Sequence, residues 1–202
     1  MKGMELPKTS TIKPKNGRKV VQNDENMPNF LKKRFDVPKP NEVWVSDITY
    51  VKIGGKWCYI CVVIDLFARK LISCKASKKA DSKLTSDTLT VAYNSRNCPK
   101  NVMFHSDRGV QYTAFDFRKL LDKLDFIQSF SAKGHPYDNA VAESFFRFLK
   151  SEELDRTSFA TLDELNLSLF EYANFYNNFR PHSFNDGLAP SQKELEFFDT
   201  CK

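Results

Sequence analysis

Three β-forming runs joined by nothing longer than a turn stand between Val43 and Ala76, and they commit the chain to a sheet before any helix is reached. The first, Val43-Trp44-Val45-Ser46-Asp47-Ile48-Thr49-Tyr50-Val51, is rich in β-branched and aromatic residues. Such residues suit a pleated, half-buried surface. Gly54-Gly55 predicts a hairpin turn. Trp57 to Ile64 is apolar almost throughout, as expected of a strand covered on both faces. Asp65-Leu66-Phe67-Ala68 turns the chain, and Arg69 to Ala76 reads as the third strand of an antiparallel meander.

Helices and short strands then alternate. Asp81 predicts an N-cap for a helix running to about Ser95, with Leu84, Thr88, Val91 and Ala92 on one face. Asn101 to His105 reads as a short strand. Thr113 is expected to cap a helix whose Phe117, Leu120, Leu121 and Leu124 follow the i, i+3, i+4, i+7 stripe. Phe126 to Ser129 reads as a strand, and Ser131 to Tyr137 as a loop. A helix starts near Asp138/Asn139 and is expected to reach about Leu154. Thr161-Leu162-Asp163-Glu164 is a capping box opening a helix to about Asn178. The order β-β-β-α-β-α-β-α-α predicts an α/β fold: a mixed five-stranded sheet flanked by helices. That is the order of the ribonuclease H-like fold. The expected organisation is a basic, largely extended arm over 1–40, an α/β core over 41–180 and a tail over 181–202.

The chain has 202 residues, enough for one sizeable domain. Its net charge of +6 is unevenly placed. Residues 1–40 hold ten Lys/Arg against four acids, and the remaining 162 residues hold 21 of each. The excess is therefore an N-terminal arm on a neutral body. Such an arm reads either as a phosphate-contacting segment or as a solvated leader. No apolar run approaches the ~20 residues of a membrane-spanning helix, and no membrane association is expected. Five scattered cysteines and the absence of a secretory h-region predict a reducing, cytoplasmic setting. Cys58 and Cys61 lie within one apolar strand without further zinc ligands, so they read as small buried residues.

Three carboxylates stand out by position. Asp47 lies in a strand otherwise made for burial. Asp107 directly follows the strand Val102-Met103-Phe104-His105. Glu143 lies at the start of its helix, with Arg147 and Lys150 at +4 and +7 on the same stripe. Val141, Phe145, Phe148 and Leu149 are expected to pack on the opposite side. An acid in or beside a core strand needs compensation. Three hard oxygen ligands on separate elements suit Mg²⁺ or Mn²⁺. The same residues also fit ordinary surface acids, of which the chain has 25 in all. The loop from Ser131 combines Lys133, His135 and Tyr137, a mix suited to a distorted DNA strand or to a plain connection. His105 reads equally as a support for Asp107 or as a packed strand histidine. His182 reads as structural or DNA-facing.

The text around these acids resembles a known family. Trp44-Val45-Ser46-Asp47-Ile48-Thr49-Tyr50 is similar to the first catalytic block of the integrase core of bacterial insertion-sequence transposases. The resemblance is to the group encoded by two overlapping reading frames, relatives of retroviral integrases. Val63-Ile64-Asp65-Leu66-Phe67-Ala68-Arg69 is similar to its second strand and turn. His105-Ser106-Asp107-Arg108-Gly109-Val110-Gln111-Tyr112 is similar to the second acidic block. Lys133-Gly134-His135-Pro136-Tyr137-Asp138-Asn139-Ala140, then Glu143-Ser144-Phe145-Phe146, are similar to the third. Asp107 and Glu143 are separated by 35 residues, the family's spacing. Lys150 fits its Lys/Arg position, and Tyr176-Asn177-Asn178-Phe179-Arg180-Pro181-His182 with Ala189-Pro190-Ser191 fits its tail.

The resemblance implies a catalytic domain in which Asp47, Asp107 and Glu143 bind two Mg²⁺ or Mn²⁺ ions. It implies a DDE-type strand transferase that cleaves element ends and joins the freed 3′-hydroxyls to target DNA, with no covalent protein–DNA intermediate. Expected DNA contacts are Arg108, Lys133, His135, Tyr137, Asn139, Arg147 and Lys150. Expected partners are DNA, further copies of the chain on that DNA, and a helix-turn-helix protein from an upstream frame. The expected place of action is the bacterial nucleoid. Relatives carry upstream helix-turn-helix segments that Met1 to Pro28 does not resemble. A second expectation is therefore a truncated or domesticated DNA-binding regulator of the same fold. A nuclease of that fold without strand transfer is a third.

Overall fold

The hairpin predicted at Gly54-Gly55 is the first element that the computed structural model bears out: both glycines lie at positive φ, +52° and +78°. A two-residue turn of this kind matches the twist of the strands it joins. The structure describes residues 27–200, apart from Lys133, His135 and the side chain of Pro136. The expectations for residues 1–26, Lys133 and His135 lie outside the described residues.

Strand β1 (Val43–Ile53) pairs antiparallel with β2 (Lys56–Asp65), and β2 with β3 (Lys70–Ser77). Helix α1 (Ser82–Ser95) follows, capped by Asp81, whose carboxylate accepts from Leu84 N at 3.1 Å. Its buried face includes Leu89 in place of the expected Val91, which is 44% exposed. Next come β4 (Met103–Ser106), α2 (Val110–Thr113), α3 (Phe115–Lys123) and β5 (Ile127–Phe130). The sheet order is β3-β2-β1-β4-β5, with β4 parallel to both β1 and β5. Thr113 does not cap α3. Its hydroxyl turns back to Gly109 O, and Ala114 breaks the chain in extended geometry between α2 and α3. Strands β3 and β4 start one and two residues later than expected, where Arg69 and Asn101 adopt left-handed φ, while β5 starts one residue later, at Ile127, and β2 one earlier, at Lys56.

The period of two along β1 splits the core. Val43 and Val45 face one side with Ile60, Val62 and Ile64. Trp44 faces the other with Phe104, Tyr112, Phe117 and Phe130. The second side is covered by α1, α2 and α3. The first is covered by α4 (Ala140–Leu149) and α5 (Leu162–Asn178). Phe145 of α4 meets Tyr176 of α5 edge-on, with centroids 4.9 Å apart. Each such aromatic, fully buried, contributes roughly 2–3 kcal/mol.

Helix α4 departs from its sequence reading in two ways. Its buried stripe is Ala142, Phe145, Phe146 and Leu149, whereas Val141 and Phe148 are only half-buried. Phe148 instead lies under the guanidinium of Arg180, 4.0 Å from the ring centroid. The helix also stops being α-helical at Leu149 and widens into a π turn, Lys150–Leu154. Asp155 N donates to Lys150 O at 2.8 Å, and Glu152 is held by Arg180 and Tyr172. Thr161 caps α5 as predicted, accepting from Glu164 N at 3.1 Å, while Glu164 reaches back to Ala160 N.

Two flanking segments lie on this body. Residues 27–37 form a strap: Met27, Leu31 and Val37 are buried, and Pro28 O accepts from Phe130 N at 2.9 Å. At the other end, α6 (Pro190–Thr200) docks through Glu194, which is buried against Lys70 and Arg96.

Candidate active site

The parallel pairing of β1 and β4 sets the site. Val45 lies opposite His105, so Asp47 and Asp107 each stand two residues further along neighbouring strand paths. The parity of Asp47 is that of Val43 and Val45, which turns it to the face covered by α4. Glu143 lies in the first turn of α4, on its exposed side. Asp47 and Asp107 thus follow neighbouring strand paths, and Asp107 and Glu143 both act electrostatically on Asp47.

Their electrostatics agree with that placement. Burial pushes the Asp47 carboxyl up to about 7, and repulsion from Asp107 adds to it. A hydrogen bond from Ile48 N (2.8 Å) opposes the rise, Glu143 adds to it, and Lys150 opposes it. Asp107 is shifted upward by desolvation, with donation from Gly109 N (2.9 Å) opposing. A Cβ at Gly109 would lie 2.9 Å from Asp107 Oδ1 and 3.0 Å from the Gln111 side chain, so a side chain here would push the Asp107 carboxylate aside.

Among the described residues, no three His, Cys, Asp or Glu side chains already stand close enough to hold a metal ion. The donor set nonetheless fits a hard divalent cation. It is all carboxylate, and Asp47 is repelled by both of the others, a repulsion that a cation between them would offset. Asp47, on the central strand β1, is half-buried, while Asp107 and Glu143 are both exposed to solvent.

The expected DNA contacts are placed unevenly. Tyr137 is 71% exposed. Arg147 is exposed on α4, bonded to Ser144 Oγ at 3.2 Å. The Lys150 ammonium lies 5.2 Å from the Tyr50 ring centroid. Arg108 and Asn139 differ from expectation in being tied inward. Arg108 donates to Ser131 O (3.0 Å) and Met27 O (3.4 Å). Asn139 is buried and donates to Ser46 O at 3.1 Å. His105 is a packed strand histidine: its ring nitrogens meet Ser129 Oγ (2.9 Å) and Ser131 Oγ (3.2 Å), and burial holds it down to about 4, hence uncharged at neutral pH.

Several residues were not visible as site components in the sequence. Ser46 Oγ and Tyr112 OH form a buried pair at 2.8 Å directly behind Asp47, with Cys61 alongside. Burial raises the Cys61 thiol to about 11, which makes it inert. Asp138 gathers three partners beneath α4. A recess of about 350 Å³ lies beyond the other end of α4, lined by Glu152, Glu153, Arg156, Glu171, Tyr172 and Phe175. Its carboxylates Glu152 and Glu153 are already taken up by Arg180, Tyr172 and Ser168, so it is a crevice beside the π turn and not the place of chemistry.

Comparison with known proteins agrees with the geometry. The Integrase core domain family matches residues 37–136 and, in a second form, 125–190. Transposase InsF of insertion sequence IS3A from Escherichia coli (strain K12) is 39% identical over 167 residues, 82% of this chain and 58% of that protein. The 31 kDa protein of insertion element IS600 from Shigella sonnei is 34% identical over 178 residues, 86% of this chain and 65% of that one. This chain therefore spans less than two thirds of either relative. Among solved structures, the magnesium complex of the HTLV-2 integrase catalytic core in its dimeric form superposes with a TM-score of 0.61 at 19% identity, over 77% of this chain and 97% of that one. A chain of the simian T-cell lymphotropic virus intasome gives 0.67 at 17% identity, over 79% and 56%. The fold is thus the ribonuclease H-like one that the element order predicts.

Proposed function

The chain belongs to the integrase core domain family and is similar to insertion-sequence transposases, and we propose that it is the part of such a transposase that cuts and joins DNA strands. The observation that supports this reading is that Asp47 and Asp107 follow neighbouring parallel strand paths and that Asp107 and Glu143 both repel the Asp47 carboxylate. These three carboxylates would hold the divalent cations, two in the active state. When bound, such ions stabilise charge on the phosphodiester and activate the attacking oxygen.

The chain's own residues supply the rest. The β1 backbone fixes Asp47, and Gly109 N orients Asp107. Arg147 and Lys150, on the helix that carries Glu143, place positive charge beside the acids, where a phosphate backbone would lie. The exposed ring of Tyr137 offers a stacking surface for an unpaired base. In the first step a water or hydroxyl oxygen bonds to phosphorus as the P–O3′ bond breaks, and the 3′-oxygen takes a proton. In the second, that 3′-hydroxyl attacks a target phosphodiester and displaces another 3′-oxygen. Neither step needs a covalent bond to the protein. The reading includes assembly of several copies on DNA at the nucleoid, with end recognition supplied by helix-turn-helix segments of a longer or partner chain.

The test is cleavage and strand transfer on labelled duplex ends in Mg²⁺ or Mn²⁺, with melting temperature followed in parallel. A cation at 100 times its dissociation constant stabilises the parent by about 2.7 kcal/mol. Glu143→Gln should lose most of that rise, lose cleavage by at least ~100-fold, and keep DNA binding. Without metal it should be as stable as the parent or slightly more so, because one of the charges repelling Asp47 is gone. Cleavage at the parental rate would remove Glu143 from the site.

A further inference from the structure

Asp138 and Asn139 directly precede α4, where an Asp-Asn pair ordinarily caps a helix, yet Asn139 at the N-cap makes no capping bond. Both side chains are spent on the body of the protein. Asn139 is 5% exposed, and its Nδ2 donates to the carbonyl of Ser46, the residue before Asp47. Asp138 is 3% exposed. Its Oδ2 accepts from Asn29 Nδ2 on the strap and from Ala132 N after β5, both at 2.8 Å. Lys33 Nζ, also on the strap, lies 3.9 Å from its Oδ1. A carboxylate this deep persists only with such partners.

We propose that Asp138 and Asn139 are positioning residues, which fix the first turn of α4 so that Glu143 is held against Asp47 and register the strap with that geometry. Glu143 follows Asn139 by four residues, about one helical turn, so a displacement of Asn139 carries Glu143 with it. The bond to Ser46 O is then a short tie between the elements bearing two of the three acids. Through Asn29 and Lys33, any segment preceding the strap is linked to the same turn. This inference rests on the reading of the three acids as a metal-holding site. Neither residue need touch DNA.

The experiment titrates Mn²⁺ against melting temperature for the full chain and for Asn139→Ala, Asn29→Ala and Asp47→Asn. Asn139→Ala should raise the Mn²⁺ concentration at half-maximal stabilisation by roughly 10–100-fold, as loss of a residue orienting a metal ligand does. Asn29→Ala, outside the site, should shift it in the same direction by less, and it carries the measurement if Asn139→Ala does not fold. Metal-free affinity for duplex DNA should be unchanged. A merely structural role would lower the metal-free melting temperature and leave the Mn²⁺ midpoint at the parental value, and that result overturns the proposal. If the parent shows no Mn²⁺-induced rise, the reading of the acids fails by itself. Amide hydrogen exchange over Ala140 to Glu143 then decides the positioning role: faster exchange in Asn139→Ala, with α5 unaffected, supports it, and unchanged exchange overturns it.

Discussion

His182 caps the short helix Ser183–Asn185 with its own ring: Nδ1 accepts from Phe184 N at 3.2 Å, which requires that nitrogen to be unprotonated. Burial, then repulsion from Arg69 and Arg180, holds its imidazole down to about 4. The unfolded chain takes up this proton near pH 6.5. Between those values the unfolded state binds a proton that the folded state refuses, so stability falls as pH drops from about 6.5 to 4 and is flat above. The ring is half-buried, and solvent screening reduces the effect to about 1 kcal/mol. In urea midpoints measured against pH, His182→Asn should flatten the acid limb by about that much, since an Asn oxygen can still accept from Phe184 N. An acid limb of unchanged slope would show that His182 is solvated and takes no part. The same scale shows what sequence can carry. Asp47 was legible because an acid interrupts a run of strand-forming residues. Asp138 and Asn139 were not, because Asp-Asn before a helix reads as a cap, and only tertiary contacts reveal otherwise.

Helix α6 shows how an element with a weak sequence signal is held by charge. Its buried Glu194 pairs with Lys70 at the start of β3 and with Arg96 after α1, and Arg96 also pairs with Asp65 at 3.1 Å. Apolar support is modest, chiefly Phe197 against Phe67 with centroids 5.0 Å apart. Removing Glu194 leaves Lys70 without its carboxylate and Arg96 with Asp65 alone. Glu194→Ala should therefore destabilise the protein by roughly 3 kcal/mol, the lower end for a broken buried pair because Lys70 keeps some access to water. Chemical denaturation reads this directly, and a loss below ~0.5 kcal/mol would show that α6 is a loosely attached element. In sequence the segment reads as a tail, because its ion pairs join residues about 100 and 124 positions apart and periodicity reports nothing at that range. Helix α4 was legible in existence and start but not in rotation, since three phenylalanines within four positions fit more than one buried stripe.

At the scale of the whole molecule, the meander and the parallel crossing of β4 beside β1 follow from the element order, and with them the approach of Asp47 to Asp107. The boundary between arm and body does not follow from charge. Residues 27–37 belong to the described body, with Met27, Leu31 and Val37 buried and Asn29 bonded to Asp138. The positive charge is thereby divided. Residues 1–26 carry six Lys/Arg and three acids, and the rest of the basic excess sits on the strap and its flank. Two truncations separate charge from packing. Deleting residues 1–26 retains the buried Met27, Leu31 and Val37 of the strap, and the melting temperature should hold. The slope of log affinity against log salt should fall by ~0.9 for every duplex phosphate that those residues neutralise. Deleting residues 1–40 also removes three buried apolar side chains, at roughly 2 kcal/mol each, and should lower the melting temperature sharply. If the shorter deletion leaves the salt slope unchanged, the phosphates are held by the Arg147 and Lys150 face of α4, and the same measurement on Arg147→Gln should then show the missing decrement.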